Sequence, residues 1–343
     1  MRIACFGGSF NPPHKGHLAI ALQALREARF DEVWFIPSRQ APLREDAPVP
    51  FEHRVAMIEA MIKPYRKLKV CAIEAQLPPP SFTITTVTTL IAQFPACSFA
   101  WIIGSDQANQ FDQWKDAQRL KALVPFYVVP RASTDQIPAW MSRLEVPGIA
   151  SYSSSRYRLG EVQVAPYAVI VESARRGHYF DSMVKAAVGS KRWEHIAGVI
   201  SVAVDLALDH GIDPTSAYVA ALLHDLTKPW PTAQHKAWLS FCDPNYSRQP
   251  EAILHQKTAK AYARRVLGVH NQNILHAIAH HVDGSREHPL TQILYIADKC
   301  EPSRGYDATA VLDLARRDLK AAFAQVRQAQ VDYLNQEHHG THH

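Results

Sequence analysis

A short apolar run that leads through a glycine turn into a helical pattern constrains the fold of this chain more than any other feature. Residues 3–6 are apolar, and residues 7–17 read Gly-Gly-Ser-Phe-Asn-Pro-Pro-His-Lys-Gly-His. Glycines let backbone N–H groups approach a phosphate closely, and the following helix N-terminus adds positive partial charge. His14 and His17 lie on the rim of such a site, where neutral imidazoles can donate hydrogen bonds. The segment therefore predicts a strand, a phosphate-binding turn and a helix.

The rest of the first half repeats this alternation of strand and helix. Strand-like runs occur at residues 3–6, 33–36, 68–73, 99–103 and 126–129. Helical patterns lie between them, at residues 17–29, 51–63, 85–94 and 115–122. Such alternation predicts a parallel sheet with helices on both faces, and in these folds ligands bind at the carboxyl ends of the strands.

Strand signals nearly vanish after about residue 180. Amphipathic helical patterns follow at residues 191–210, 214–226, 251–267, 271–281, 289–299 and 308–334. The chain of 343 residues is long enough for two ordinary domains. We therefore predict an α/β domain over residues 1–180 and an all-α domain over residues 185–335.

The amino-acid composition indicates the cellular compartment and limits the classes of binding partner. The five cysteines are scattered and form no C-x-x-C pair, which favours a reducing cytoplasm over a disulfide framework. A net charge of +5 suits anionic nucleotides and is too weak to indicate nucleic-acid binding. No apolar run has the length of a membrane span, and the N-terminus lacks a signal-peptide pattern. We expect a cytoplasmic protein without membrane or nucleic-acid partners, and a homo-oligomer stays open.

Four ordered motifs in the first half resemble those of bacterial nicotinate mononucleotide adenylyltransferases. Residues 8–17 match the nucleotidylyltransferase signature G-x-F-x-P-x-H-x-G-H. Residues 81–83, Ser-Phe-Thr, are similar to the family's S-Y-T, and residues 104–114 to its G-x-D-x-x-x-x-F-x-x-W. Residues 152–158, Tyr-Ser-Ser-Ser-Arg-Tyr-Arg, are similar to its I-S-S-T-x-I-R. The resemblance implies a Rossmann-like nucleotidylyltransferase domain that transfers AMP from ATP to nicotinate mononucleotide.

The resemblance also implies which residues hold each substrate. ATP would be bound at the glycine turn, after the fourth strand and at the serine motif, by Gly7, Gly8, Ser9, Phe10, His14, His17, Gly104, Asp106, Ser153, Ser154 and Arg158. The acceptor would be bound by Arg44, Thr83 and Trp114, the last with a flat face for the pyridine ring.

The chemistry implied for this site needs no general base. The attacking phosphate is already an anion, so catalysis is mostly positioning and charge neutralisation. His14, His17 and Arg158 are the predicted catalytic residues, with Mg²⁺ accompanying the ATP. The sequence departs from the family at Arg44, where a lysine is usual, and at Thr85, where an aspartate is usual. A related nucleotidylyltransferase with another acceptor is therefore an open alternative.

The second half carries histidines and aspartates in a pattern typical of metal ligands. Adjacent His224 and Asp225 follow an apolar helical segment, and at a buried helix end both can ligate one divalent ion. With His195 before them and Asp298 after them, they resemble the H…HD…D pattern of HD metal-dependent phosphohydrolases. The surrounding sequences are similar to the bacterial HD-domain family that cleaves diadenosine tetraphosphate symmetrically into two ADP.

This second resemblance implies metal-assisted hydrolysis. His195, His224, Asp225 and Asp298 would hold the metal, with Asp225 also catalytic, and iron, manganese or zinc fits their mixed ligands. Residues for a second metal or for phosphate would be His255, His281, Lys228 and Arg304. Of the adjacent pair His280 and His281, only one is expected to face the metal, because a helix turns about 100° per residue. We thus predict a bifunctional enzyme. The alternatives are a regulatory, non-catalytic HD module or a non-catalytic scaffold.

Overall fold

The structure, a computed structural model, describes residues 1–40, 49–132, 134–243 and 245–340, without the side chains of residues 247, 334 and 336–340. Contacts divide the chain into two compact units. The first consists of Met1–Tyr157 and Glu161–Ser173, and the second of Arg158–Gly160 and Ala174–His343. The main division thus falls between Ser173 and Ala174, whereas the predicted first domain ends at residue 180 and the predicted second domain begins at residue 185.

A six-stranded sheet forms the centre of the first unit. Its strands are β1 (Arg2–Gly8), β2 (Glu32–Pro37), β3 (Leu68–Val70), β4 (Ser98–Gly104), β5 (Phe126–Val129) and β6 (Ser142–Arg143). Every neighbouring pair is parallel, in the order β3-β2-β1-β4-β5-β6. The predicted α/β fold class is confirmed. Because the order changes direction between β1 and β4, a ligand crevice is expected at the carboxyl ends of these two strands.

Helices cover the sheet. They are α1 (Lys15–Arg26), α2 (Phe51–Ile62), α3 (Thr83–Gln93), α4 (Ser105–Asn109), α5 (Ala117–Leu123), α6 (Ser154–Arg158) and α7 (Tyr167–Ala174). Buried side chains of α3 and α5, such as Leu90 and Leu120, pack against Trp101 and Ile103 of β4. The four long helical patterns correspond to α1, α2, α3 and α5. The five-residue helices α4 and α6 carry too few turns to show a period, and the eight-residue α7 was not predicted either.

The second unit is all helical in the part of the chain that the structure describes. Its helices are α8 (Phe180–Val188), α9 (Ser190–Asp209), α10 (Pro214–Leu223), α11 (Thr232–Ser240), α12 (Leu254–Arg265), α13 (Gln272–Ala279), α14 (Pro289–Cys300), α15 (Thr309–Arg317) and α16 (Leu319–Gly340). Helix α14 is central, since residues 290–298 are all buried. At the start of α10 the Asp213 carboxylate accepts from the N–H groups of Thr215 and Ser216, with Pro214 in the first helical position.

One predicted helix was wrong. The pattern over residues 308–334 forms two helices, because Asp318 has an extended backbone (φ −144°, ψ 90°) and ends α15. Its carboxylate then accepts a hydrogen bond from the N–H of Ala321, at 2.9 Å, and so caps the start of α16. Among the described residues, no helix combines the length and the apolar character that crossing a bilayer requires.

Candidate active sites

The glycine turn between β1 and α1 brings His14 and His17 together. The backbone N–H of His14 donates to Nδ1 of His17 at 3.1 Å, and the two rings stack with centroids 3.6 Å apart. A Cβ at Gly16 would lie 3.0 Å from two atoms of the His14 ring and 3.0 Å from Cδ1 of Ile149. A side chain at position 16 would therefore press on the His14 ring and on Ile149, so glycine suits the tight spacing H-x-G-H.

Burial keeps both imidazoles neutral. His14 is 8% exposed, and its Nδ1 is buried without a hydrogen-bond partner among the described residues. Burial lowers the pKa of His14 to about 4, and the nearby Arg131 guanidinium adds to the effect. Burial likewise holds the pKa of His17 well below its usual range, with His14 and Arg131 contributing. A bound ligand can supply the hydrogen-bond partner that such a buried polar atom lacks.

The Arg54 side chain organises this turn, and the motifs did not predict it. Arg54 is 1% exposed, although a lone arginine usually lies in solvent. Its guanidinium donates to the carbonyls of Ser9 at 2.7 Å, Ser38 at 2.8 Å and Val49 at 2.8 Å. It thereby joins the segments that follow β1 and β2 to the start of α2. The only sequence signal was a charge on the apolar face of the 51–63 pattern.

The serine motif lies beside the glycine turn. Ser154 Oγ donates to the carbonyl of Pro12 at 2.8 Å, and Ser153 Oγ accepts from the N–H of Arg156 at 3.1 Å. Two segments about 140 residues apart in sequence are thus joined, and their shared role in ATP binding stays a prediction. Arg158 is half-buried at the end of α6, and its contacts group it with the second unit, so its role in ATP binding stays a prediction.

Gly104 and Asp106 lie at the end of β4. A Cβ at Gly104 would lie 2.6 Å from Oδ1 of Asp106, so glycine gives that carboxylate its room. Asp106 is exposed and forms an ion pair with Arg131 at 3.4 Å, a cation that the motifs did not include. Phe10, predicted to bind ATP, is 1% exposed and packs against Phe6, Phe35 and His17. Its side chain belongs to the core, and only its backbone is left for a nucleotide.

The predicted acceptor residues are less closely tied together. Thr83 is half-buried and begins α3. Just before it, Ser81 exchanges hydrogen bonds with the backbone of Gln40, which anchors this segment beside the end of β2. Trp114 is half-buried against Phe111, with ring centroids 5.5 Å apart, so one part of it packs on the core. Arg44 lies outside the described residues.

The second unit brings all the predicted metal-ligating side chains into one buried cluster. His195 comes from α9 and Asp298 from α14, while His224 and Asp225 follow α10 directly. Oδ1 of Asp298 lies 3.2 Å from Nε2 of His195 and 3.8 Å from Nε2 of His224. Oδ1 of Asp225 lies 3.4 Å from Nε2 of His255 and 3.5 Å from Nε2 of His281. Two groups share His224 and could each hold an ion: His195, His224 and Asp298, and His224, Asp225 and His281.

Hydrogen bonds at the far side of three rings orient this cluster. Nδ1 of His224 donates to the carbonyl of Ala221 at 2.6 Å, and Nδ1 of His281 to that of Ile278 at 2.8 Å. Nδ1 of His195 lies 2.9 Å from the Glu301 carboxylate. Because carbonyls only accept, the proton of His224 and of His281 is on Nδ1 and the Nε2 of each ring faces the cluster. In His195 and His224 this Nε2 is buried and has no hydrogen-bond partner in the described chain, as suits a cation site.

Four cations surround the two aspartates. Arg192 contacts Asp225 at 2.8 Å, while Lys299 and Arg304 each contact Asp298 at 2.7 Å. The fourth is Lys228, whose Nζ lies 3.1 Å from Nε2 of His255. Burial would raise the pKa of Asp298, but the Lys299 ammonium and nearby histidines hold that pKa well below its usual range.

Burial has the opposite effect on the bases of this cluster. It lowers the pKa of Lys228, and it lowers the pKa of His255 to about 3, with His281 and Lys228 contributing. His255 is therefore neutral and able to ligate. Of the adjacent histidines, His281 is 1% exposed and faces Asp225, while His280 bonds Ser285 in the following turn. The motifs predicted neither Arg192 nor Lys299, because surface cations of this kind are common in any helix.

Comparisons with known proteins agree with this division. A family model described as cytidylyltransferase-like matches residues 5–160, and one described as HD domain matches residues 192–303. A "probable nicotinate-nucleotide adenylyltransferase/Ap4A hydrolase" of Mycoplasma genitalium is 27% identical over 94% of this chain and 95% of its own. A "probable nicotinate-nucleotide adenylyltransferase" of Shouchella clausii is 39% identical over 38% of this chain and 68% of its own.

A solved structure from Clostridium acetobutylicum, described as a "predicted HD superfamily hydrolase involved in NAD metabolism", is 25% identical, with a TM-score of 0.43. The match covers 46% of this chain and 86% of that one.

Proposed function

The chain belongs to the nicotinate-nucleotide adenylyltransferase family, with an HD domain following the transferase domain, and from this premise we propose that it is a bifunctional enzyme. The first activity transfers AMP from ATP to nicotinate mononucleotide, giving deamido-NAD and pyrophosphate. The second hydrolyses diadenosine tetraphosphate to two ADP. We assign the first activity to residues 1–180 and the second to residues 185–335.

Adenylyl transfer at the first site would be catalysed by positioning. The acceptor phosphate attacks the α-phosphorus of ATP as an anion, so no side chain has to remove a proton. Neutral His14 and His17 would donate hydrogen bonds to phosphate oxygens as pyrophosphate leaves, and Ser154 holds the turn through Pro12. Arg158 would add a bidentate contact, and Mg²⁺ would accompany the ATP.

The acceptor would lie at the neighbouring strand ends. Trp114 presents part of an indole face on which a pyridine ring can stack, and Thr83 offers a hydroxyl to its carboxylate. Asp106, exposed after β4, would accept from a ribose hydroxyl. Arg44 would replace the lysine usual in the family as a partner for the acceptor.

Hydrolysis would take place at the His–Asp cluster. A bound divalent metal supplies an activated water and neutralises phosphate charge. His195, His224, Asp225 and Asp298 would hold it, with His255 and His281 completing a second position. Lys228 and Arg304, together with Arg192 and Lys299, give polyphosphate oxygens their cationic partners. Iron, manganese or zinc suits this mixture of nitrogen and oxygen ligands.

One observation carries the proposal: six buried side chains of types that bind metals meet in one unit, and two of them have an Nε2 without a hydrogen-bond partner among the described residues. The other unit holds the paired histidines of the transferase motif. A relative similar over 94% of the chain is named for both activities.

A product assay on the purified protein tests both activities. With ATP, nicotinate mononucleotide and Mg²⁺, deamido-NAD and pyrophosphate should form. With diadenosine tetraphosphate and Mn²⁺ or Fe²⁺, the product should be ADP alone. Preference for another acceptor would favour the alternative nucleotidylyltransferase. ATP plus AMP as products, or tetraphosphate binding without turnover, would contradict the hydrolase assignment.

A further inference from the structure

We propose that Glu301 is a positioning residue of the metal site and that it fixes the ring of His195. Gly198 makes this contact possible, because it has no side chain to occupy the space of the Glu301 carboxylate. Neither residue is among the predicted site residues. The inference rests on the proposed metal site of the second unit and adds to it how one ligand is held in place.

The contact between Glu301 and His195 decides which ring nitrogen faces the cluster. Glu301 is 1% exposed, and its Oε1 lies 2.9 Å from Nδ1 of His195. An ionised carboxylate only accepts, so Nδ1 donates to Glu301 and the ring presents Nε2 to the cluster, where a bound cation would take its lone pair. That Nε2 lies 3.2 Å from Oδ1 of Asp298 and, like Nε2 of His224, is buried without a hydrogen-bond partner in the described part of the chain.

Glu301 is itself held by the short turn Pro302–Arg304 that follows α14. The N–H of Ser303 donates to Oε2 of Glu301 at 2.7 Å, and the hydroxyl of Ser303 donates to Oε1 at 2.6 Å. Ser303 therefore holds both carboxylate oxygens, including Oε1, the one that also contacts His195. The carboxylate is built into the fold and does not depend on the cation for its place.

Gly198 provides the space for this carboxylate. It lies three residues after His195 on α9, and residues three apart share a helix face. A Cβ at Gly198 would lie 2.4 Å from Oε2 and 3.2 Å from Cδ of Glu301. The backbone here is helical, so glycine is not needed for its conformation, and glycine disfavours a helix interior. The reason for a glycine at this position is therefore the carboxylate packed against it.

Titration of the metal-free full-length protein with Mn²⁺ tests the contact directly. Glu301→Ala should weaken Mn²⁺ binding about 10- to 100-fold, the usual effect of losing such a partner of a histidine ligand. Glu301→Gln keeps an acceptor oxygen for Nδ1 and should lose less. Folded Glu301→Ala protein that binds Mn²⁺ as tightly as wild type would overturn the proposal. Should Glu301→Ala not fold, the Gln variant and the glycine variant below carry the same test.

A second pair of variants tests the role of Gly198. Gly198→Ala should weaken Mn²⁺ binding in the same direction, because the methyl group displaces the carboxylate. In the Glu301→Ala background the same change should cause no further loss, since nothing is left to displace. Ala197→Ser, which adds one atom on the exposed side of α9, is the matched control and should bind Mn²⁺ normally. An equal loss from Gly198→Ala in both backgrounds would overturn the proposal.

Wild-type protein separates this inference from the proposed function. If wild type binds no Mn²⁺, Fe²⁺ or Zn²⁺, the metal site itself is refuted, and the role of Glu301 with it. If wild type binds metal and Glu301→Ala binds it equally, only the role of Glu301 fails.

Discussion

His17 faces the glycine turn, and it is the residue whose loss should show most clearly what that turn does. We expect His17→Ala to lower kcat for deamido-NAD synthesis about 10²-fold or more, because a donor to the departing phosphates is removed. Steady-state kinetics with ATP and nicotinate mononucleotide would measure this.

The hydrolysis of diadenosine tetraphosphate provides the internal control for that variant. His17 belongs to the first unit, so hydrolysis by the second should be unchanged. Synthesis at the wild-type rate by a folded His17→Ala protein would show that the histidine pair does not act on phosphate.

The buried His14 should make the first unit sensitive to acid. The folded-state pKa of His14 is lowered to about 4, while an unfolded histidine has a pKa of about 6.5. Between these values the unfolded chain binds more protons, so the contribution of neutral His14 is complete above about pH 6.5 and is lost as the pH falls towards 4. Thermal unfolding of wild type and His14→Asn across this range should show a smaller acid-induced loss in the variant. Parallel curves would contradict this reading.

Individual residues differ in how far the sequence could predict them. Adjacent His224 and Asp225 were predictable as neighbours in one buried cluster because the apolar helix before them ends at Leu223, and the structure brings their side chains together. Their role as ligands stays a prediction. Arg54 and Glu301 were not predictable, since a single charged residue gives no sign that it is buried among carbonyls or beside a histidine. Phe10 shows the opposite case: it occupies a position of the motif, yet its side chain packs in the core.

At the scale of elements, Arg54 joins three pieces of backbone by donating to one carbonyl of each. Arg54→Met should destabilise the first unit by about 3 kcal/mol or more, because each buried acceptor left unsatisfied costs about 1–3 kcal/mol. The destabilisation caused by Arg54→Lys should lie between that of Arg54→Met and zero, since an ammonium lacks the fixed fork that reaches three carbonyls. Denaturant unfolding would measure both.

The exposed Arg26 on α1 supplies the matched control for the arginine variants. Arg26→Met should change the free energy of unfolding by less than about 0.5 kcal/mol, as surface substitutions usually do. An equally small effect of Arg54→Met would mean that the guanidinium is not needed to hold the turn.

The elements were predictable where a period ran over several turns or a strand was fully apolar. Strands β1, β2, β4 and β5 and the long helices follow the predicted segments closely. The two-residue strand β6 and helix α11 were missed, since neither shows a period. The order of strands in the sheet is set by pairing between distant segments, which the pattern of one chain does not contain. The separation of α15 from α16 depends on the single capping residue Asp318, which a periodic pattern does not reveal.

At the scale of the whole molecule, the two activities should be separable by mutation. Asp225→Ala removes a carboxylate that lies within 4.0 Å of four histidines, so metal content should fall and tetraphosphate hydrolysis should be lost. Deamido-NAD synthesis with Mg²⁺ should survive. Metal analysis and the two product assays would measure these effects together.

Asp205, exposed on α9, gives the control for that variant. Asp205→Ala should retain both metal and hydrolysis. Loss of synthesis in Asp225→Ala, or hydrolysis that persists there and resists chelators, would contradict the assignment of the activities to separate units.

The joining of both units in one chain of 343 residues has a consequence for the cell. Each translation event delivers one synthetic and one hydrolytic centre, so no change in expression can alter their ratio. Under the proposed function, the balance between making a dinucleotide and destroying another must be set after synthesis of the protein. The supply of the transition metal offers that control: scarcity would silence the hydrolase and leave the transferase, which uses the abundant Mg²⁺, at work.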